Sequence, residues 1–264
     1  MAIIAYKAYN KQIISGKIYN IEALDFLRSI KSSSIDLVFL DPPFNLGKQY
    51  DMKGTVNDKH PEDIYKEWIT KILDECIRIL KDGAALYLYH LPVWAMPLGN
   101  YLSGKLTFIH WIAVSMKNGF VRSNRLYPAH YALLFFTKGK PKVLSRPKIQ
   151  PKTCKNCGEY FKDYGGYKSI IDDKGINLSD FWDDLSPVRH KKDKLRVQNQ
   201  LPLLLTDRII EISGISGGTF VDPFAGTGTS IISAIKKEMT FKCNDLIKDN
   251  CEIIIERIHN NFLI

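Results

Sequence analysis

Several features that would place the chain in other protein classes are missing from its sequence. No apolar run comes near the ~20 residues that a helix needs to cross a bilayer. The N-terminal stretch carries a short apolar patch but not the layout of a signal peptide. Five cysteines, an odd number, argue against a disulfide framework. We therefore expect a cytoplasmic protein with reduced thiols and no membrane partner.

Charge balance is missing too, since 37 Lys and Arg residues oppose 28 Asp and Glu residues and leave a net charge of +9. Such an excess either keeps a surface solvated or attracts a polyanion, most commonly nucleic acid. The segment RHKKDKLR (189–196) favours the second reading, because six of its eight residues are basic and one is acidic. The candidate phosphate contacts are Arg122, Arg125, Arg189, Lys191, Lys192, Lys194 and Arg196.

Helix-like and strand-like segments alternate over most of the chain. Helical spacing of apolar residues is found at 17–30, 61–83 and 201–214, and short apolar runs typical of strands at 34–40, 84–90 and 130–139. A strand, a glycine turn and a helix start at 219–230, and a further strand and helix follow. This alternation predicts an α/β fold with a doubly wound, mostly parallel sheet. Residues 140–198 are rich in Lys, Pro, Gly and Asp, which indicates an insert with little core of its own.

The strand at 34–40 ends in the sequence Asp-Pro-Pro-Phe, residues 41–44. Prolines cannot donate to a sheet ladder, so Pro42 and Pro43 form a stiff loop there. The Asp41 carboxylate and the proline carbonyls are all acceptors, which suits both N–H groups of an exocyclic amine. Phe44 offers a face for stacking on a base, worth roughly 1–3 kcal/mol. The alternative is that the prolines only end the strand and Phe44 joins the core.

A second candidate site follows the strand that starts at residue 219. Its glycines permit positive φ and close approach of a ligand, and the helix start after them offers unpaired amides. Asp245 comes about 20 residues later, after the next strand, where an acid accepts from ribose hydroxyls. A nucleoside-bearing ligand is expected, and a simple tight turn is the alternative. The residues of this motif are Asp222, Pro223, Phe224, Gly226, Gly228 and Thr229.

The two motifs together resemble the DNA amino-methyltransferases that use S-adenosylmethionine. Because the Asp-Pro-Pro-Phe motif precedes the glycine motif, the order resembles the circularly permuted β group of that family, adenine-specific type, as found in restriction–modification systems. The likeness extends over about 200 of the 264 residues. It implies a seven-stranded Rossmann-like methyltransferase sheet with a basic target-recognition insert.

The resemblance also implies roles for individual residues. The family moves a methyl group to the 6-amino group of an adenine flipped out of double-stranded DNA. Asp41 and the Pro42 carbonyl would hold the amino group, and Phe44 would stack on the base; Asp41 also borders the cofactor. Asn20 stands where the family usually has an acid near the cofactor adenine, and Asp245 replaces the more usual Glu. A cytosine 4-amino methyltransferase, an RNA or small-molecule enzyme, and an inactive nucleic-acid binding protein remain open.

The family's arrangement divides the chain into three parts. Residues 1–120 form the catalytic half, 121–198 the target-recognition insert and 199–264 the cofactor-binding half. The resemblance implies further partners, namely a cognate restriction endonuclease and a second copy of the chain in a homodimer.

The sequence Cys-Lys-Asn-Cys-Gly, with Cys154 and Cys157, is half of a zinc-site pattern. A complete structural zinc site needs more ligands, and His190 is a candidate third. A reduced cysteine pair in a turn is the alternative. The remaining cysteines fall in apolar helices or strands and are expected in the core: Cys76, Cys243 and Cys251.

Overall fold

A computed structural model describes residues 2–7, 13–47, 58–115, 126, 128–162, 164–166, 171, 174–185 and 200–262. The helices are α1 (Ala23–Arg28), α2 (Glu62–Ile79), α3 (Pro92–Ser103), α4 (Leu203–Ser213), α5 (Thr229–Lys236) and α6 (Lys248–Phe262), and a 3₁₀ turn spans Tyr164–Gly166. The strands are β1 (Ala2–Lys7), β2 (Ile13–Tyr19), β3 (Ile35–Leu40), β4 (Leu80–His90), β5 (Thr107–Ser115), β6 (His130–Thr137), β7 (Lys148–Ile149), β8 (Ile176–Asn177), β9 (Phe181–Trp182), β10 (Thr219–Asp222) and β11 (Thr240–Asn244).

Nine of these strands form one sheet in the order β1-β2-β11-β10-β3-β4-β6-β5-β9. The strands from β2 to β4 in this order are parallel, whereas β6 runs antiparallel to both β4 and β5. The predicted doubly wound, mostly parallel α/β sheet is confirmed. Its seven strands from β2 to β5 carry one additional strand at each edge, β1 and β9. β7 and β8 pair separately as a small antiparallel ladder.

Helices cover both faces of the sheet. Every residue of β3 is buried, which explains why its sequence is a continuous apolar run rather than an alternating one. Apolar residues of α1, α2 and α3 pack in one hydrophobic cluster, and those of α4, α5 and α6 pack in another that includes side chains from the opposite face of the strands. The sheet is therefore the middle layer of three.

Two predicted helix boundaries are wrong. Residues 17–30 were expected to form one helix, but Ile18 and Tyr19 belong to β2, which pairs with β11, and α1 begins only at Ala23. The helix expected over 61–83 ends at Ile79, because β4 begins at the next residue. Gly83 lies inside β4 with φ of +75°, and an added Cβ would come within 3.0 Å of the Lys140 carbonyl oxygen.

The proposed insert, 121–198, contributes to the main sheet as well as to small elements. β6 lies within its range, and β9 pairs with β5 through Trp182. Next to β9, Asp184 forms a bidentate ion pair with Arg208 of α4, with Nη1 donating to Oδ1 over 2.8 Å and Nη2 to Oδ2. That pairing lowers the pKa of Asp184. Residues 181–184 of the insert are thus tied to the sheet and to the helix before β10.

Among the described residues, no helix is both long and apolar enough to cross a membrane.

Candidate active site

The Asp-Pro-Pro-Phe loop (residues 41–44) follows β3, and the glycine loop (residues 222–228) starts at the last residue of β10. β3 and β10 are paired in parallel at the centre of the sheet. The carboxyl ends of parallel neighbours meet at one edge, so the two loops lie side by side. Asp41 and Asp245 lie near enough to Asp222 for their charges to raise its pKa, although burial is the larger cause.

The boundary between β3 and β10 is also where the sheet reverses direction of winding. The helices on either side of β3 along the chain, α1 and α2, pack on one face, and those on either side of β10, α4 and α5, pack on the other. In doubly wound sheets this switch point opens a crevice at the carboxyl ends of the strands, where ligands bind. Both motifs therefore border the crevice that the fold provides.

Asp222 shapes the glycine loop from inside. It is 2% exposed. Its Oδ1 accepts from the backbone N–H of Phe224 over 2.9 Å, and its Oδ2 accepts from the Ser230 hydroxyl over 2.5 Å. Burial is the main cause that raises its pKa to about 7, against the lowering effect of these bonds. Asp222 thus orders the glycine loop, and its contact with a cofactor remains a prediction.

The glycine loop requires its two glycines for backbone reasons. Gly226 and Gly228 have φ of +54° and +78°, a region that favours glycine. Gly228 precedes α5, which begins at Thr229, and an added Cβ would lie 2.8 Å from Ile254 Cγ1 of α6. Arg257 of α6 donates from Nη1 to the Thr227 carbonyl over 2.6 Å. Helix α6 therefore holds the loop from behind.

Asp245 and Asn20 link the glycine loop to the ends of the neighbouring strands. Asp245 Oδ2 accepts from the Gly226 N–H over 2.8 Å, and its Oδ1 accepts from the N–H of Ile247 and from Asn250 Nδ2, both over 2.9 Å. Asn20 donates from Nδ2 to the carbonyls of Asp245 and Leu246, each over 2.9 Å. The ligand contacts of both side chains remain predictions, and both side chains order the wall of the crevice.

Several aromatic side chains lie around Phe44 and near Asp41. Phe44 is 8% exposed and stacks on the His90 ring with centroids 4.8 Å apart. Tyr89 and Tyr131 lie 6.2 and 5.9 Å from the Phe44 ring. Burial, and then the charge of Asp41, raise the pKa of both tyrosines. One face of Phe44 is thus covered by His90, and its expected stacking on a base remains a prediction.

Sequence reasoning missed the side chains of α2 that reach both loops. Tyr65 donates its hydroxyl proton to the Pro43 carbonyl over 2.6 Å, while Trp68 packs edge-on against Phe224 with centroids 5.8 Å apart. Tyr65 and Trp68 are three positions apart and so share one helix face. The available signal was aromatic residues at helical spacing, which is more often typical of a core. His90 is the last residue of β4, the strand next to β3. Its position at a carboxyl strand end was the signal that could have placed it at the site.

The predicted phosphate contacts lie outside the described residues, as does His190. These contacts are Arg122, Arg125, Arg189, Lys191, Lys192, Lys194 and Arg196.

The cysteines separate into two groups. Cys76, Cys243 and Cys251 are buried, as predicted. Cys154 and Cys157 occupy a turn in which the Gly158 N–H donates to the Cys154 carbonyl over 2.9 Å. In the part of the chain that the structure describes, no group of three potential metal ligands comes together.

Comparison with known proteins gives a family match over most of the chain. A family model described as DNA methylase matches residues 35–256. The Type II methyltransferase M.BamHI of Bacillus amyloliquefaciens is 45% identical over 246 residues, which is 93% of this chain and 57% of that protein. The chain therefore spans little more than half the length of this relative. The DNA adenine methyltransferase YhdJ of Escherichia coli (strain K12) is 28% identical over 235 residues, 88% of this chain and 76% of that protein.

A solved structure supports the fold. The PvuII DNA methyltransferase (cytosine-N4-specific) superimposes with a TM-score of 0.67 at 14% identity, and the match covers 93% of this chain and 87% of that one. The strands of the sheet and the helices packed on it thus have the same arrangement as in this solved methyltransferase structure.

Proposed function

Because the chain belongs to the DNA methylase family whose model spans residues 35–256, we propose that it moves a methyl group from S-adenosylmethionine to the 6-amino group of a flipped-out adenine in double-stranded DNA. The observation that carries this proposal is the pairing of β3 with β10, which sets the acceptors of the Asp-Pro-Pro-Phe loop beside the glycine loop. Neither loop alone would bring an amino group and a cofactor into one crevice.

The glycine-loop side fits S-adenosylmethionine. Gly226 has no side chain, which lets a ligand approach the loop backbone closely, and Asp245 stands just after the next strand, where ribose hydroxyls are bound in such folds. The charges of Asp41 and Asp245 both act at this end of the sheet, since each raises the pKa of buried Asp222. Two carboxylates there favour a cation, and S-adenosylmethionine carries its methyl group on a positively charged sulfonium.

The Asp-Pro-Pro-Phe loop supplies the other half of the chemistry. An exocyclic amino nitrogen is a poor nucleophile, because its lone pair is delocalised into the ring. The Asp41 carboxylate and the Pro42 carbonyl are acceptors for its two N–H groups, and holding both favours a tetrahedral nitrogen with a localised lone pair. In this proposal Asp41 also receives the proton that the nitrogen loses. Orientation of this kind can contribute several kcal/mol.

Adenine is the base proposed because the sequence Asp-Pro-Pro-Phe resembles the adenine type, and YhdJ, whose name specifies adenine, is among the relatives. Cytosine is the second candidate. Its 4-amino group offers the same two donors, and a cytosine-N4-specific enzyme shares the fold.

Double-stranded DNA is the proposed partner, supported by the net charge of +9 and the basic segment at 189–196. Residues 1–120, 121–198 and 199–264 are proposed to act as catalytic half, target-recognition insert and cofactor-binding half. A cognate restriction endonuclease, a homodimer, the β-group assignment and a cytoplasmic location complete the proposal.

The test identifies the product base. Purified protein is incubated with unmethylated plasmid DNA and S-adenosylmethionine, and the DNA is digested to nucleosides for mass spectrometry. N6-methyladenine is the expected product. N4-methylcytosine in its place would reject adenine and retain amino methylation, whereas 5-methylcytosine or no methylated base would reject the proposal.

A further inference from the structure

The Asp-Pro-Pro-Phe loop is held from behind by a buried pair of side chains. Tyr65 of α2 is 2% exposed, and its hydroxyl lies 2.6 Å from the Pro43 carbonyl and 2.7 Å from His90 Nε2. His90 is fully buried at the end of β4, and its Nδ1 accepts from the backbone N–H of Leu91 over 2.8 Å. A continuous chain of hydrogen bonds therefore runs from the end of β4 through Tyr65 of α2 to the Asp-Pro-Pro-Phe loop.

The directions of these hydrogen bonds follow from the atoms involved. Because His90 Nδ1 accepts a proton, the neutral ring carries its hydrogen on Nε2 and donates it to the Tyr65 oxygen. Burial lowers the pKa of His90 to about 3, so the neutral ring persists over the ordinary pH range. Tyr65 then has one proton, and the Pro43 carbonyl is the acceptor that receives it. The protonation of His90 thus determines the direction of the hydrogen bond to Tyr65, which in turn determines the direction of the bond from Tyr65 to Pro43.

Tyr65 and His90 restrict the backbone angle ψ that the prolines leave free to vary. Proline fixes φ at about −65°, so Pro42 and Pro43 can vary only in ψ. The bond from Tyr65 fixes the direction of the Pro43 carbonyl, and so the plane of the peptide that leads into Phe44. The ring of Phe44 is in turn stacked on His90 with an interplanar angle of 28°. Loop backbone and Phe44 ring are thus set by the same two side chains.

We propose that Tyr65 and His90 are positioning residues for methyl transfer, which hold the Asp-Pro-Pro-Phe loop in the geometry that grips the base amino group. This inference rests on the proposed function. A displacement of ~1 Å in a catalytic group can reduce a rate by about 100-fold. Loss of the Tyr65 hydroxyl should therefore lower kcat. It should not weaken binding of the cofactor, because the proposed cofactor site is the neighbouring glycine loop.

A matched control separates positioning from general stability. Tyr87 of β4 is also fully buried, and its hydroxyl lies 2.8 Å from the Ser213 hydroxyl at the end of α4, on the face of the sheet opposite α2. Tyr65→Phe and Tyr87→Phe each remove one buried hydroxyl, which makes two hydrogen bonds in Tyr65 and one in Tyr87, at a cost of about 1 kcal/mol of stability for each bond. Only the first touches the Asp-Pro-Pro-Phe loop.

The experiment measures kcat and KM for DNA, the Kd for S-adenosylmethionine and the melting temperature of wild type and the single-site variants Tyr65→Phe, Tyr87→Phe and His90→Phe. We expect kcat to fall 10- to 100-fold in Tyr65→Phe, with Kd and KM changed less than about twofold, and to stay within twofold in Tyr87→Phe. His90→Phe keeps an aromatic ring against Phe44 but removes the donor to Tyr65, so its kcat should also fall. The double variant Tyr65→Phe/His90→Phe should lose little beyond either single change, because both act through one chain of bonds.

Two results would overturn the inference. Unchanged kcat in Tyr65→Phe, with an active wild type, would reject the positioning role and leave the proposed function standing. A wild type that transfers no methyl group to DNA would reject the proposed function and this inference with it.

Discussion

The sharpest steric prediction concerns Gly228, at the end of the glycine loop. An alanine there would place Cβ 2.8 Å from Cγ1 and 3.1 Å from Cγ2 of Ile254, a fully buried side chain of α6. The backbone φ of +78° adds a second penalty, because a residue with a side chain rarely adopts it. Gly217 provides the matched control, since its φ is +75° and an added Cβ meets nothing within 4 Å.

The two substitutions should therefore differ by the steric term alone. Left-handed backbone costs an alanine about 1 kcal/mol, and overpacking in a close-packed core adds typically 1–3 kcal/mol. For a protein of this size 1 kcal/mol corresponds to roughly 2–4 °C in Tm. We expect Gly217→Ala to lower Tm by roughly 2–4 °C and Gly228→Ala by roughly 4–16 °C.

Thermal melts followed by circular dichroism, with and without S-adenosylhomocysteine, provide the assay. The ligand should raise the Tm of Gly217→Ala as it does for wild type, and should raise that of Gly228→Ala much less, because the loop must shift away from α6. Equal melting temperatures for the two variants would refute the argument that the loop packs tightly on Ile254.

Three more predictions test other parts of the account. Because the folded state raises the pKa of Asp222 to about 7, it binds a proton more tightly than the unfolded chain, so this group's stabilising contribution is complete below about pH 4 and declines as the pH rises to 7. The Tm of Asp222→Asn, whose amide can still accept from Phe224 and donate to Ser230, should rise relative to wild type across that window and then level off; a difference independent of pH would contradict this. Replacing the basic residues of segment 189–196 with alanine should make the dependence of log DNA affinity on log salt shallower by about 0.9 for each lost phosphate contact, and an unchanged slope would exclude the segment from the DNA interface. The zinc hypothesis for Cys154 and Cys157 predicts about one zinc per chain by elemental analysis after a chelator wash, and a Cys154→Ser/Cys157→Ser variant without it; a metal-free wild type would reject the hypothesis.

The sequence was sufficient to predict the parts of the fold that depend on local patterns. The alternation of apolar runs predicts the parallel sheet, and the continuous apolar character of 34–40 predicts a strand covered on both faces, as β3 is. Both motifs were located at strand ends, where doubly wound sheets hold their sites. Burial of Cys76, Cys243 and Cys251 followed from the same patterns.

Contacts between distant segments were beyond the reach of sequence reasoning. The spacing of Ile18 with later apolar residues fits a helix, but pairing with β11 makes it part of a strand. Asn20 was predicted to contact a ligand, and spacing alone did not predict that its Nδ2 donates to two carbonyls just after β11. The hydrogen bond of Tyr65 to Pro43 joins residues 22 positions apart, and nothing in the spacing of α2 distinguishes Tyr65 from an ordinary core residue. Such hydrogen-bonded pairs of distant residues form only when the folded sheet brings its strand ends together.

The central claim is that the Asp-Pro-Pro-Phe loop and the glycine loop are two halves of one active site, and the variant Asp41→Ala tests it most directly. Asp25→Ala is the control, because Asp25 is an acid on α1 whose side chain is 67% exposed. Methyl transfer to DNA and the Kd for S-adenosylmethionine are measured on the same preparations. The account predicts at least a 100-fold loss of methyl transfer in Asp41→Ala, typical of removing a group that acts on the reacting atoms, with a Kd within a few-fold of wild type. Methyl transfer at the wild-type rate in Asp41→Ala would contradict it.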